Sequence, residues 1–226
     1  MLLDIEGTTT PISFVHDVLF PYARVRLKRY LERGEPASEI AEVRRRFAEE
    51  HAQDAARGER PPAGALEYAE WLMDRDRKSP ALKLLQGLIW EGGYRAGELH
   101  GIVFPDVPSA MRRWHDAGVQ IAIYSSGSEL AQRRLFESVE SGNLAPLISG
   151  FFDTTVGPKF SAESYGRIAG RLGVEPSGLL FVSDVTKELD AAGAAGLQVA
   201  LSVRPGNPAQ PSHDYDVVTS LASLPI

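Results

Sequence analysis

Four short polar segments each follow an apolar run: Asp4-Ile5-Glu6-Gly7-Thr8, Tyr124-Ser125-Ser126-Gly127-Ser128, Gly157-Pro158-Lys159 and Ser183-Asp184-Val185. They offer two carboxylates from different strands (Asp4 and Asp184), a third in Glu6, the Lys159 ammonium and the Ser125 and Ser126 hydroxyls. That set suits Mg²⁺ with a phosphoryl group: hard oxygen ligands hold the ion, while ammonium, hydroxyl and backbone N–H donors surround the phosphate oxygens. Each residue alone has an ordinary reading. Asp4 would make a turn, Glu6 a solvated loop acid, Lys159 a surface charge, Ser125-Ser126 a turn or cap, and Asp184 the cap of a following helix. Their joint occurrence, in this order and each at a strand end, favours the functional reading.

These ends must be brought together by the fold. Met1-Leu2-Leu3 reads as the start of a buried strand, and residues 15–99 read as almost purely helical. There Val18, Leu19, Val25, Leu27, Tyr30 and Leu31 form an apolar stripe, with Pro21 expected to kink the helix and Gly34 to stop it. Ser38 is the expected cap of a second helix, which runs through Ile40, Val43 and Phe47 to before Gly58. A third helix carries Leu66, Ala69, Leu72 and Met73, and Ser79-Pro80 opens a fourth.

From about residue 100 helices alternate with strands. Helices are expected at 106–117, from Ser128, at 161–172 closed by Gly173, and at 187–195. Strands are expected at 119–124, near Phe151-Phe152, at 179–182 and at 199–203. The alternation predicts an α/β fold, a doubly wound (Rossmann-like) parallel sheet with an inserted all-helical cap. The core would comprise residues 1–14 and 100–226, and the cap residues 15–99. An insert after the first strand falls at the carboxyl edge of the sheet, where such sheets bind ligands, and is placed to act as a lid. Only three residues precede Asp4. The first strand is therefore expected to be short, to hold Asp4 less firmly, and to leave the protein less stable than a chain extended by several apolar residues.

The composition excludes several classes. The 226 residues carry 24 basic and 30 acidic side chains, a formal charge of −6, which disfavours nucleic acid as a partner. No run approaches the roughly 20 apolar residues of a membrane span, and the N-terminus lacks the pattern of a signal peptide. With no cysteine, disulfides and thiolate chemistry are ruled out, and five scattered histidines make a histidine zinc site a poor fit. A cytoplasmic protein, monomeric and without a membrane partner, is the expectation.

The four segments resemble the motifs of the haloacid dehalogenase-like phosphatase superfamily, with the insert where that superfamily carries a helical cap. Within it the chain resembles the enolase-phosphatase family of methionine salvage. The resemblance rests on Asp4-Ile5-Glu6-Gly7-Thr8-Thr9, with glutamate where most relatives have a second aspartate, and on Tyr124-Ser125-Ser126-Gly127-Ser128. Leu85-Gln86-Gly87 with Trp90, Phe152-Asp153-Thr154, Gly157-Pro158-Lys159, Glu163-Ser164-Tyr165 and Val203-Arg204-Pro205-Gly206-Asn207 extend it over nearly the whole chain.

The resemblance implies that Asp4 is the nucleophile of an aspartyl-phosphate mechanism, which divides one difficult displacement into two steps. It implies one Mg²⁺ held by Asp4, the backbone carbonyl of Glu6 and Asp184, phosphoryl oxygens held by Ser125 and Lys159, and Ser126 on the substrate. Glu6 would protonate the leaving oxygen and then activate water. The implied substrate is 2,3-diketo-5-methylthiopentyl 1-phosphate, enolised and then dephosphorylated to the acireductone. Glu6 is also the economical choice for moving the carbon-bound proton, with Glu91, Tyr94 and Arg95 as alternatives. Glu188, as a support for a metal-bound water, and Trp90, as a substrate-side wall or core residue, complete the candidate set.

Three other readings compete. A general Mg²⁺-dependent phosphatase for small sugar phosphates or phosphoglycolate would share the same core, since the cap chooses the substrate. A non-enzymatic phospho-aspartate receiver switch uses similar groups, but it places its acidic pair and its acceptor on different strands and has no use for the insert. A dehalogenase is opposed by Asp184 and Glu6.

Overall fold

The computed structural model describes residues 1–33 and 37–225. By its contacts the chain divides into two compact units, one of Met1–Val15 and Leu99–Ile226, the other of His16–Glu98.

The first unit is built on strands β1 (Leu2–Leu3), β2 (Ala122–Tyr124), β3 (Gly150–Phe152), β4 (Leu180–Ser183), β5 (Gln198–Ser202) and β6 (Val217–Val218). Among the described residues these form one parallel sheet, in the order β3-β2-β1-β4-β5-β6. This is the expected doubly wound sheet. Leu2 pairs with Ala122 on one side and Phe181 on the other, and Leu3 with Ile123 and Val182. Both leucines are fully buried. At about 1.5–3 kcal/mol for each buried large side chain, these two anchor a strand too short to hold by its ladder alone. The chain leaves β1 toward β2 and β3, then returns on the other side at β4. The carboxyl ends of β1 and β4 therefore flank the point where the winding reverses, the ligand crevice of such sheets.

The helices of this unit follow their capping signals. Ser128 accepts a hydrogen bond from the Ala131 N–H (3.2 Å) and opens Glu129–Glu137, while Ala162–Leu172 ends at Gly173 as expected. The helices Val107–Asp116 and Thr186–Ala194 complete the set. The strand expected over 119–124 is shorter: the Val119 N–H still bonds Trp114 O at the close of the preceding helix, and the ladder begins at Ala122. Strand β6 was not expected from the pattern.

The second unit is helical. Phe14–Leu19 is a π-helical turn that runs into it, followed by α1 (Phe20–Arg24), α2 (Leu27–Arg33), α3 (Ala37–Ala56), α4 (Ala65–Asp74) and α5 (Pro80–Arg95). Helix α3 packs on α5 and α4, burying Val43, Phe47, Tyr68, Leu72, Leu85 and Ile89. Ser79 caps α5 through a 2.9 Å bond from the Leu82 N–H, with Pro80 in its first turn. Two expectations need correction. Leu19, Leu27 and Leu31 are buried as the stripe requires, but Val25 is 74% exposed and Val18 is exposed as well. The i→i+5 turn and the break between α1 and α2 shift the helical phase, so one 3.6-residue period does not span the segment. Ser38 does not cap α3 but lies inside it, its hydroxyl bonded to the Glu39 carboxylate. Gly34 lies outside the described residues.

Candidate active site

Asp4 is the first residue beyond β1 and is 4% exposed. Its N–H donates to Val182 O (3.0 Å) and its carbonyl accepts from Thr9 Oγ1 (3.1 Å). The turn that follows folds back on itself: the N–H groups of Thr8, Thr9 and Thr10 all bond Ile5 O, and Gly7 N–H bonds Thr10 O. Further anchors come from far along the chain. Ser202 Oγ and Asn207 Nδ2 donate to Gly7 O, Arg204 Nε donates to Thr8 O, and Phe104 N–H donates to Thr9 O. Arg204 is itself fixed by a two-pronged pair with Asp106 (3.1 and 2.9 Å). The loosely held Asp4 expected from a short strand is thus not what the structure shows. The loop's own hydrogen bonds do what strand length does not.

Asp4 Oδ1 accepts both the Ile5 N–H (2.8 Å) and the Lys159 ammonium (2.7 Å). The same ammonium reaches Glu188 Oε2 at 2.6 Å. All three side chains are buried. Three hydroxyls steady the lysine's backbone: Tyr124 OH on Gly157 O, Ser164 Oγ on Pro158 O and Tyr165 OH on Lys159 O, each at 2.8 Å. Gly157 has φ +142°, and a Cβ there would collide with Ser164 Oγ, so a side chain would displace the turn that aims Lys159. Burial alone would lower the lysine pKa, but the charges of Asp4 and Glu188 outweigh it and hold the ammonium protonated, well above the ordinary lysine range.

Asp184 follows β4 as Asp4 follows β1. Burial, then the nearby charge of Asp4, push its carboxyl up to about 7, and Glu6 adds to the push. Glu188 is raised for the same first two reasons, against the pull of Lys159. Three buried carboxylates therefore share one buried ammonium, and the site carries unneutralised negative charge. Gly7 (φ +69°) faces this excess: a Cβ on it would run into the Asp184 carboxylate and sit 3.1 Å from Asn207 Oδ1. Only glycine keeps that gap open. Among the described residues no three acidic, histidine or cysteine side chains form a complete metal cage. The Asp4 and Asp184 carboxylates and the open gap instead suit a small, hard cation that retains water, the habit of Mg²⁺.

The structure brings Asp4, Lys159, Asp184 and Glu188 into one cluster. Glu6 bridges to Thr10 within the same turn, and its charge is felt by Asp184. Ser125 is the first residue beyond β2, next to β1 in the sheet; it is half-buried, and Ser126 is exposed. Trp90 and Arg95 belong to the other unit. There the Trp90 indole N–H donates to Leu19 O (2.8 Å) with the ring stacked on Phe20, and Arg95 is exposed and paired with Glu91. Two participants sit inside the quoted segments but had been given no role. Ser183 Oγ donates to Glu188 Oε2 (2.9 Å) and lies 3.3 Å from Asp4 Oδ2, and Asn207 meets the Gly7 turn. Their signal was position: Ser183 ends β4, and Asn207 closes the Pro205-Gly206 turn after β5.

A doubly wound sheet with a buried aspartate, lysine and second acid at its reversal point defines a class of hydrolase, and the family comparison agrees. The haloacid dehalogenase-like hydrolase family matches residues 1–196, and the chain belongs to it. Over 99% of its length the chain is 49% identical to enolase-phosphatase E1 of Synechococcus elongatus, covering 96% of that protein. It is 45% identical, again over 99% of its length, to the probable bifunctional methylthioribulose-1-phosphate dehydratase/enolase-phosphatase E1 of Populus trichocarpa, covering 46% of that longer chain. The crystal structure of the Unknown transcript 4 protein of Saccharomyces cerevisiae aligns over 99% of this chain and 98% of its own, at a TM-score of 0.77 and 32% identity.

Proposed function

We propose that the chain is a Mg²⁺-dependent enolase-phosphatase that converts 2,3-diketo-5-methylthiopentyl 1-phosphate to the acireductone 1,2-dihydroxy-3-keto-5-methylthiopentene. Residues 1–14 and 100–226 are its catalytic core and residues 15–99 its cap. The observation that carries the phosphatase half is the buried Asp4 held through one oxygen. Oδ1 is committed to Lys159 and Ile5, while Oδ2 has, among the described residues, the 3.3 Å contact with Ser183 alone and keeps a lone pair for phosphorus. The similarity to enolase-phosphatases carries the enolase half. The bifunctional relative supports the substrate, because loss of water from a methylthioribulose 1-phosphate yields that diketone phosphate.

The proton on the carbon bearing the phosphate ester leaves first, with Glu6 as the base, and the adjacent carbonyl oxygen becomes an enolate, which is protonated last, by the proton that Glu6 takes from water in the second half. Asp4 then attacks phosphorus, the bond to the ester oxygen breaks, and Glu6 returns a proton to that oxygen. In the second half Glu6 takes a proton from water, which attacks phosphorus, breaks the acyl phosphate and restores the Asp4 carboxylate. Lys159 and Ser125 hold the phosphoryl oxygens, and Ser126 contacts the rest of the substrate. Asp4, Asp184 and the Glu6 carbonyl would hold Mg²⁺, which when bound offsets the repulsion between an anionic nucleophile and an anionic ester. Glu188 keeps Lys159 in place.

The protein is read as a cytoplasmic monomer; among the described residues no helix is long and apolar enough to cross a membrane. The test is incubation with the diketone phosphate while following both the enol chromophore and free phosphate. Both signals are expected to rise. Rapid hydrolysis of a simple sugar phosphate, with no acireductone from the diketone, would replace this reading by that of a general phosphatase.

A further inference from the structure

Asn207 stands next to the proposed cation site with an unusual commitment of its amide. Nδ2 donates to Gly7 O (2.9 Å) and to Ser202 O (3.2 Å), so both hydrogens are spent on carbonyls and the amide cannot be turned over without losing both bonds. Oδ1 is thereby fixed. It is buried and, among the described residues, has no hydrogen-bond partner. The gap it faces is the one Gly7 keeps open: a Cβ on Gly7 would sit 3.1 Å from Asn207 Oδ1 and 2.6 Å from Asp184 Cγ. An amide carbonyl only accepts, and so does the Asp184 carboxylate once a cation holds it ionised, so two acceptors then share one gap. A protein chain rarely buries an oxygen this way unless something with hydrogens is meant to enter. A water held by a cation meets the need, because the cation takes its lone pair and turns both hydrogens outward.

We propose that Asn207 is a positioning residue for the divalent cation. Its Oδ1 accepts from a water in the cation's hydration shell on the Asp184 side, while its Nδ2 pins the Gly7 carbonyl and so the turn that begins at Asp4. The assignment rests on the reading of Asp4 and Asp184 as metal ligands. It makes a residue 200 positions from Gly7 part of the metal site.

The test is Mg²⁺ binding to the full chain without substrate, by titration calorimetry and by the Mg²⁺-induced rise in Tm. Asn207→Ala is expected to weaken Mg²⁺ binding by about 10- to 100-fold, the usual effect of losing an outer partner of a metal site. Ser202→Ala removes the other side-chain bond to Gly7 O but no oxygen from the gap, and is expected to weaken binding less than about threefold. Unchanged affinity in Asn207→Ala, or an equal loss in Ser202→Ala, overturns the assignment. Asp184→Asn separates the two levels. If it loses Mg²⁺ binding while Asn207→Ala keeps it, only the role of Asn207 fails; if it binds like the parent, the metal reading of Asp184 fails first.

Discussion

Each unit of the molecule buries a carboxylate network, and the two are balanced differently. In the helical unit Asp54 is 4% exposed and accepts from Tyr68 OH (2.8 Å) and Arg77 Nη2 (2.7 Å), while the other arm of Arg77 takes Glu59 (2.6 Å). Arg57 lies 3.8 Å from Asp54, so two acids meet two guanidinium groups. In the sheet unit, among the described residues, Asp4 and Glu188 both pair with Lys159 alone, Asp184 feels the same charges, and Asp184 and Glu188 are pushed toward neutrality. A buried charge left without its own partner is costly, so the folded chain keeps one where a ligand is to supply the missing charge. The first network holds helices together. On the reading proposed above, the second is completed by a cation.

Four experiments sharpen that contrast. Removing divalent ions with EDTA is expected to bring phosphate release down to background and Mg²⁺ to restore it; indifference to the chelator would mean the charge excess has another purpose. Asp4→Asn should lower phosphate release by at least about a thousandfold while the circular dichroism spectrum stays native, as for other covalent nucleophiles. Substantial residual turnover would take Asp4 out of that role.

The third concerns pH. The Asp184 carboxyl ordinarily titrates at 3.8 and is raised to about 7 in the folded protein. Between those values the folded state holds a proton that the unfolded state has released, so stability falls as pH rises through that window and levels off above it. Glu188 is shifted in the same direction. The metal-free protein should therefore melt several degrees lower at pH 8 than at pH 5, and saturating Mg²⁺ should flatten the slope. A Tm that climbs with pH in the absence of metal would contradict the charge count.

The smallest effect is expected in the balanced network. Tyr68→Phe removes one of the bonds to Asp54 and should cost about 1 kcal/mol in urea denaturation, with turnover unchanged. A large loss of activity from this variant would show that the helical network is more than structural.

The parts of this molecule that were legible in the sequence are those whose signal is local. Ser79-Pro80, Ser128 and Gly173 mark helix ends because each acts on backbone groups within four residues of itself. Asp4, Lys159 and Asp184 could be picked out because each sits just past an apolar run, and parallel strands place such ends side by side. Less local features were lost. Val217–Val218 is too short to show a period, and Val25 sits at a helix break that rotates the faces. Ser183 and Asn207 bond to partners 179 and 200 residues away, a pairing that no spacing encodes. The register of β1 against β4 was needed to see why Ser183 lies beside Asp4.

The order of the strands also has a consequence for biogenesis. Lys159, strand β4 and the Ser202, Arg204 and Asn207 anchors of the turn are all translated more than 150 residues after Asp4. Contacts of such long range close late. Asp4 thus precedes the groups that fix it, and a nascent chain truncated before β4 would carry it without Asp184, Glu188 and the Ser202 and Asn207 anchors of its turn.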